Sequence, residues 1–446
     1  MKKRIAILGS GESGTGAALL AQHAGYDVFV SDKGGIKDQY KRELDAHGIA
    51  WEENRHSLDQ ILNAAEIIKS PGIPEKNEVM QAVRAKGINV IGEIEFGYRY
   101  AGKCRIVAIT GSNGKTTTTE LTFHLLKTAG LNVRMGGNVG NSFARMALDD
   151  LKNGQSKNNE RVFVLEVSSF QLDDIQQFRP KIAVLLNITP DHLDRYSCME
   201  EYAKAKIKVA GCLKKNGKLF VEERAYQNFR PLFETLPVLT YGYNPHCTLF
   251  TDTKQVFNQG RFAFTLPSHL QGKPSHTAEN LMAAYALCDA MGISAGQFIE
   301  GFLSFNFPPH RIEFIEKIDG ISYYNDSKGT NIDAVIRAVE SLPGNIVLIA
   351  GGVDKGASYV PWLSNFEGKV KCVCAIGQAA HDVTANLGGE IPGQLFLIPS
   401  SIQADEIVNV LREGYDVGLL TSGFRNLIKE LNLDVLMIDT HPGLNE

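Results

Sequence analysis

The chain carries no surplus of positive charge: 46 Lys and Arg stand against 50 Asp and Glu, for a formal net charge of −4 and a pI near 6.3. That balance argues against broad nucleic-acid binding, which needs a basic face to displace phosphate counterions. Long apolar runs are also missing at the start, where Met1-Lys2-Lys3-Arg4 leads into Ile5 to Leu8 and Gly9 closes the run. Such a stretch is too short for a signal peptide or a membrane span. Paired cysteine spacing is absent as well. Cys104, Cys198, Cys212, Cys247, Cys288, Cys372 and Cys374 are scattered without CxxC, as free thiols of a reducing cytoplasm are. Cys372-Val373-Cys374 admits a metal pair, but alternate residues of an apolar strand more often pack as small hydrophobes. There is no internal repeat and no low-complexity segment.

What is present is a soluble globular composition, 43% hydrophobic and 22% charged, over 446 residues. That length predicts about three domains. From Arg4 the order RIAILG, SGESGTG, AALLAQHAG, YDVFVSD reads as strand, glycine turn, helix, strand. A second start of the same kind lies at RIVAITGSNGKTTTTELTFHLLKTAG. Pro308-Pro309 cannot continue a helix and predicts a hinge, after which strands at NIVLIAGG and VCAIG and a helix over about 402–412 form a third α/β unit. The expected plan is three α/β domains, 1–102, 103–306 and 307–446, the first and last Rossmann-like and the central one a P-loop-type ATPase domain.

Gly9-Ser10-Gly11-Glu12-Ser13-Gly14 fits GxGxxG between strand and helix, so its backbone N–H groups can hold an anion. Asp32 ends the next strand, where a ribose hydroxyl is often held. Alone, this pair is compatible with a nicotinamide dehydrogenase, and glycines also serve turns without any ligand. The second loop, Thr110-Gly111-Ser112-Asn113-Gly114-Lys115-Thr116-Thr117, is more specific. Ile109 replaces the first glycine of the strict P-loop, yet the glycines still expose N–H groups, Lys115 offers charge to phosphate and Thr116 offers a hydroxyl to Mg²⁺. Glu166 at a strand end and His192 in LLNITPDHLDRY could complete a Mg²⁺ shell; equally, one could be a buried ion-pair partner and the other a packing residue.

GSNGKTT, EVSSFQL, NITPDHLDRY, YAKAKIKV, HRIEF, YNDSKGTN and GGVDKG occur in the order found in the Mur ligase family, which this chain resembles to roughly residue 390. The SSFQL and NDSK forms, with SPGIP and GEIEFG, resemble the D-glutamate-adding branch more than other amino-acid-adding branches. The resemblance implies a cytoplasmic, monomeric, ATP-dependent ligase that joins D-glutamate to UDP-N-acetylmuramoyl-L-alanine through an acyl phosphate, with Mg²⁺. It assigns Ser13, Asp32 and Gly72 to the uridine nucleotide, and Asn138, Ser168, Gln171 and His192 to the muramoyl-alanine end. It assigns Gly111 to Thr117, Asn280, Arg311 and Asp326 to ATP, and Lys328, Thr330 and Lys355 to D-glutamate. Thr116, Glu166, His192 and Lys206 would surround the metal, with Lys115, His192 and Lys206 catalytic.

In the family the lysine of the YxxAK segment is carbamylated, which makes an anion from a cation and needs a lysine whose proton is easily lost. Without the resemblance, Lys206 reads as a helix-surface residue between Lys204 and Lys208. Two features depart from the pattern. Thr277 in HTAEN replaces an asparagine, and the family's closing serine-rich loop, phenylalanine and terminal helix do not align. Instead the segment from about 393, ending LMIDTHPGLNE, resembles an internal stretch of MinD/ParA-type ATPases, with Ser422 and Phe424 the nearest equivalents of the closing contacts. A non-catalytic nucleotide switch is the reading that this segment would favour, though no P-loop lies beside it.

Overall fold

The structure, a computed structural model, describes residues 2–153, 160–307, 310–318, 320–352 and 356–387, and the backbone of 394–397 and 435–438. Pro308-Pro309, Lys355, the expected helix at 402–412, Ser422 and Phe424 lie outside the described residues. By compactness the chain forms two units, one of residues 1–188 and 198–306, the other of 189–197 and 307–446. Among the described residues no helix is long and apolar enough to cross a membrane.

The first unit holds two sheets. One has five parallel strands in the order Ala50–Glu52, Asp27–Ser31, Arg4–Leu8, Glu66–Lys69, Asn89–Gly92. Its central strand is fully apolar from Ile5 to Leu8, as a strand covered on both faces must be. The helix after it spans Glu12–His23, so it begins inside the glycine loop rather than at Ala17. The reason is packing. A Cβ at Gly14 would lie 1.9 Å from the Gly9 carbonyl oxygen, and one at Gly16 would lie 2.1 Å from Ser142 Oγ. These glycines let the helix approach its strand and the helix Phe143–Asn153 of the next sheet.

The other sheet has nine strands, with Cys104–Thr110 inside it between Ile182–Leu185 and Arg161–Glu166. Its strands run parallel except where Leu249–Thr251, Gln255–Asn258 and Arg261–Thr265 continue as an antiparallel edge. The helices Lys115–Thr128 and His276–Ala290 cover one face through Leu121, Leu125, Leu281 and Tyr285, all in the same apolar cluster.

In the second unit Glu313–Ile318 pairs antiparallel with Ile321–Asn325, and the other pairings of a six-stranded sheet are parallel. Strand Val435–Ile438, from the segment that resembles MinD/ParA ATPases, lies between Ile321–Asn325 and Ile346–Gly351. Cys372 and Cys374 lie on strand Val370–Ile376, both buried, with their sulfurs 3.8 Å apart. Among the described residues no third potential ligand joins them.

A buried ion pair ties the first sheet to the second within their unit. Lys69, 1% exposed at the end of its strand, lies 2.9 Å from Asp174 Oδ2 and donates to the Ile73 carbonyl at 3.3 Å. Asp174 caps the C-terminal end of the short helix Ser169–Asp173. Burial raises the Asp174 pKa and the Lys69 charge opposes that rise. Removing one partner of such a pair leaves a buried charge without compensation. We therefore expect Lys69→Met to lower unfolding stability by roughly 3 kcal/mol at neutral pH. Lys69→Met with Asp174→Leu should recover most of it. Urea unfolding checks this, and a single variant no less stable than the double would refute it.

Candidate active site

Four residues assigned by resemblance to the uridine nucleotide and its muramoyl end, Ser13, Asp32, Gly72 and Asn138, line one cavity of about 510 Å³ in the first unit. Its floor is the first glycine loop. Gly9 has φ +87°, and a Cβ there would lie 2.6 Å from Ser70 Oγ. Gly11 is the N-cap of the following helix and has no side chain to cap it, so the first N–H groups remain available to an anion. Asp32 is more engaged than its strand-end position implies. Its Oδ2 accepts from both the N–H and the hydroxyl of Ser10 at 2.7 Å, and its Oδ1 accepts from Gly34 N–H at 2.9 Å. The carboxylate thus shapes the loop besides facing the cavity.

The far wall, Gly137, Asn138 and Gly140, comes from the nine-stranded sheet, and acidic side chains of the five-stranded sheet's helices hold the segment that follows it. Glu12 accepts from Ser142 N–H and hydroxyl at 3.0 Å and pairs with Arg145 at 2.8 Å; Arg145 also pairs with Glu43. Glu93, 1% exposed, accepts from Ala144 N–H at 2.5 Å, capping the start of helix Phe143–Asn153. Burial pushes the Glu93 carboxyl up to about 8, against the pull of those amides.

The second glycine loop is braced from three sides. Asn187 takes Asn113 N–H on its Oδ1 at 2.8 Å and donates back to the Asn113 carbonyl at 3.0 Å, while its own carbonyl accepts from Ser112 N–H. Asn280 lies against Gly114, where a Cβ would come within 2.4 Å of its Oδ1. Gly114 has φ +81° and is the uncapped N-cap of helix Lys115–Thr128. Lys115 Nζ donates to the Ser112 carbonyl at 2.8 Å, folded over the loop, and Thr116 and Thr117 open the helix.

The surface reading of Lys206 is corrected. Lys204 and Lys208 are exposed, but Lys206 is 2% exposed, its Nζ donating to the Gly111 carbonyl at 2.8 Å and lying 4.5 Å from the Tyr202 ring centre. The spacing 202, 206, 209, 210 puts it on the apolar face of helix Met199–Gly211.

Glu166 is 2% exposed, and its Oε1 accepts from Asn138 Nδ2 at 2.9 Å. Its Oε2 and Thr110 Oγ1 are buried without a hydrogen-bond partner among the described residues. Strand pairing sets Ile109 opposite Glu166, so both oxygens sit where strands enter loops. Orphaned buried oxygens of this kind fit a hard, oxygen-seeking cation such as Mg²⁺. Ser168 and Gln171 form a capping box at helix Ser169–Asp173, which leaves the buried Gln171 Nε2 without a partner among the described residues.

The remaining assigned residues belong to the second unit. His192 has φ +55°, and its Nε2 lies 3.5 Å from Asp191 Oδ2. Asp326 is 5% exposed, and burial pushes its carboxyl up to about 6, opposed by the amide of Ile312 and the charge of Arg311. Lys328 and Thr330 are exposed. Asn187, Tyr202, Lys69 and Glu93 were not singled out from sequence. Asn187 stands in NITPDH, where its position at a strand exit was the available signal, but the others depend on partners remote in the chain.

Two largely parallel α/β sheets, each with a glycine loop leading into an uncapped helix N-terminus, define an α/β protein with two sites suited to anions. Residues 109–288 match the Mur ligase middle domain and residues 4–79 the MurD N-terminal domain. The chain belongs to the Mur ligase family. It is 44% identical over 396 residues to a UDP-N-acetylmuramoylalanine–D-glutamate ligase of Protochlamydia amoebophila, covering 88% of this chain and 87% of that one. Among solved structures it resembles the UDP-N-acetylmuramate–alanine ligase MurC of Thermotoga maritima, with TM-score 0.60 and 17% identity over 99% of this chain and 96% of that one. It also resembles a MurF ligase of Thermotoga maritima in complex with ADP, with TM-score 0.56 and 16% identity over 86% and 87% of the two chains.

The first loop separates a steric glycine from a permissive one. Gly14→Ala would drive a Cβ into the Gly9 carbonyl, whereas a Cβ at Gly11 meets nothing within 4 Å. Gly14→Ala should cost about 1–3 kcal/mol in urea unfolding. Gly11→Ala should stay within roughly 0.5 kcal/mol of the parent. Equal effects of the two substitutions would contradict this account of the loop.

Proposed function

We propose that this chain uses ATP to join the carboxylate of UDP-N-acetylmuramoyl-L-alanine to the amine of D-glutamate, releasing ADP and phosphate. The observation that carries the reading is a connected path in one unit. Asn138 lines the cavity and bonds to Glu166, whose strand partner leads into the Lys115 loop. Kinship with a D-glutamate ligase over most of both chains supports the choice of amino acid. A nicotinamide dehydrogenase would leave the second loop without a role.

In this reading the uridine diphosphate lies on the first loop, its pyrophosphate against the N–H groups that Gly11 leaves uncapped. Ser13, Asp32, Gly72 and Asn138 fix the nucleotide, while Ser168, Gln171 and His192 hold the muramoyl-alanine end. ATP lies on Gly111 to Thr117 with Asn280, Arg311 and Asp326. Lys115, released from the Ser112 carbonyl, supplies charge to the phosphate oxygens. A substrate carboxylate oxygen attacks the γ-phosphorus as the bond to ADP breaks, giving an acyl phosphate. The D-glutamate amine, held by Lys328, Thr330 and Lys355, then attacks the acyl carbon; phosphate leaves, the nitrogen loses a proton and the amide remains.

Mg²⁺, when bound, would be held by Thr116 and Glu166 with His192 and would offset charge on the phosphates. Lys206 would act as a carbamate, an anion that orients the metal shell. Its burial supports a chemical role, because a lysine kept only for solubility would stay in water.

Product analysis tests the reading: ADP and phosphate should form only with both UDP-muramoyl-alanine and D-glutamate present, and an amino-acid panel should favour D-glutamate. Lys115→Ala should slow ADP formation on the order of 10³-fold while leaving UDP-substrate affinity within a few-fold. Near-parental turnover in that variant would remove the phosphate-loop assignment. Lys206→Ala should lose activity that added acetate partly restores, since the missing group is an anion. A fully active Lys206→Arg would rule out the carbamate.

A further inference from the structure

The segment GEIEFG at 92–97 opens helix Glu93–Tyr100, and three of its residues reach from the five-stranded sheet to the nine-stranded one. Gly97 stays small because a Cβ there would lie 2.8 Å from the Ala144 nitrogen. Glu95, 0% exposed, accepts on Oε2 from the N–H groups of Gln176, Gln177 and Phe178 at 2.9, 2.8 and 2.9 Å, and its Oε1 lies 3.3 Å from Arg99 Nε. That carboxylate is fully compensated. Glu93, 1% exposed, accepts from Ala144 N–H at 2.5 Å and from the amide of Phe143, but pairs with no cation, and its Oε2 has no hydrogen-bond partner among the described residues.

The bonds to Glu93 complete the start of helix Phe143–Asn153. Arg145 N–H donates to Ser142 Oγ at 3.3 Å and Met146 N–H to the Ser142 carbonyl at 3.1 Å, so every amide of the first turn has an acceptor in the protein. The cavity wall is tied to that start. Gly137 N–H donates to the Asn141 carbonyl at 3.0 Å, which closes the turn carrying Asn138 and Gly140, and Ser142 alone separates this turn from Phe143. A shift of the helix start therefore moves the wall.

A negative charge suits a helix N-terminus, but here it would be a dry charge without a counterion. Glu12, on helix Glu12–His23, repels it; Arg145 is held by Glu12 and Glu43, and on Glu93's own helix Glu95 and Arg99 pair with each other. Burial, with the repulsion from Glu12, outweighs the two amides and raises the carboxyl from 4.5 to about 8. Glu93 is thus mostly neutral at neutral pH.

We infer that Glu93 is a positioning residue that makes the far wall of the cavity responsive to pH. Protonated, it seats helix Phe143–Asn153 and the 137–141 turn against the first sheet; loss of its proton to water releases the turn and weakens binding of the nucleotide substrate. The inference rests on the reading of this cavity as the site of a uridine diphosphate.

Calorimetric titration of the full chain and of Glu93→Gln with UDP-N-acetylmuramoyl-L-alanine, from about pH 7 to about pH 9, tests the coupling. Glutamine keeps an acceptor oxygen for the two amides and cannot ionise, and the ligand's own titration is common to both proteins. The parent's affinity relative to the variant should fall about tenfold over that range, because about a tenth of the carboxyl stays protonated one unit above its pKa. Thermal unfolding without ligand gives a second readout. A carboxyl raised from 4.5 to about 8 in the folded state stabilises the fold below 4.5 and loses that contribution as pH rises to about 8, whereas glutamine keeps it. The midpoint of Glu93→Gln minus that of the parent should therefore grow from about pH 5 to about pH 9. A constant difference would overturn the neutral carboxyl, and a growing difference with a pH-independent affinity ratio would overturn its link to the cavity. Failure of the parent to bind the ligand at any pH would remove the cavity reading and the coupling with it, while the midpoints would still decide the state of Glu93. Should the variant not fold, hydrogen exchange of the parent decides: the Phe143 and Ala144 amides should lose protection across about pH 8 beyond the base-catalysed rise common to buried amides, and unchanged protection would refute the inference.

Discussion

The constraint on which the site depends is the uncapped helix N-terminus. A parallel strand buried on both faces must return through a helix, and the first turn of that helix has N–H groups with no partner in the helix itself. Most helices satisfy one of them with a Ser, Thr, Asp or Asn side chain, as Asn77, Ser275 and Asn331 do here. The helices after the two glycine loops do not. Gly11 and Gly114 stand at their N-caps, and neither can supply a capping oxygen. Phosphate oxygens are natural partners for such groups, and it is against these two helix starts that the proposed reaction sets its nucleotides; Gly92 leaves a third start, that of Glu93–Tyr100, without a side-chain cap, so an open N-terminus alone does not make a site.

Holding these open ends in shape requires polar groups inside the protein. Asp32 binds back to Ser10, Asn187 grips Asn113 from both sides, and Lys206 supports the carbonyl of Gly111. Each such group would be costly to bury alone, and each is stabilised by the loop it orders. The same economy joins the two sheets of the first unit, where Lys69, Glu12 and Glu93 reach across to Asp174, Ser142 and Ala144. Polar side chains are spent here where a wall of the cavity has to be positioned. Among the buried polar atoms without a hydrogen-bond partner in the described residues are Glu166 Oε2 and Gln171 Nε2. Both belong to residues that the family resemblance sets against substrate or metal.

Much was legible because it is local. Strand, glycine loop and helix at 4–23 and 104–128 follow from apolar runs meeting glycine, and GKTT stands at the second of those loop-to-helix junctions. The start of the first helix was placed too late, because glycines that read as a loop serve close packing against Gly9 and Ser142. Without the family resemblance Lys206 reads as surface because two exposed lysines flank it, although its four-residue spacing from Tyr202 places it on the buried face.

By itself, then, the sequence determined the α/β class, the two glycine loops and the family, because each is written in contiguous residues whose physics is short-ranged. Tertiary structure alone decided that Asn138 of the second sheet lines the same cavity as Ser13, Asp32 and Gly72, that Lys69 meets Asp174 and that Ser31 bonds to both Glu52 and His56. Those arrangements depend on strand order and register. Strand pairing brings together residues tens to more than a hundred positions apart, and nothing in the local pattern of either partner records which strand will lie beside it.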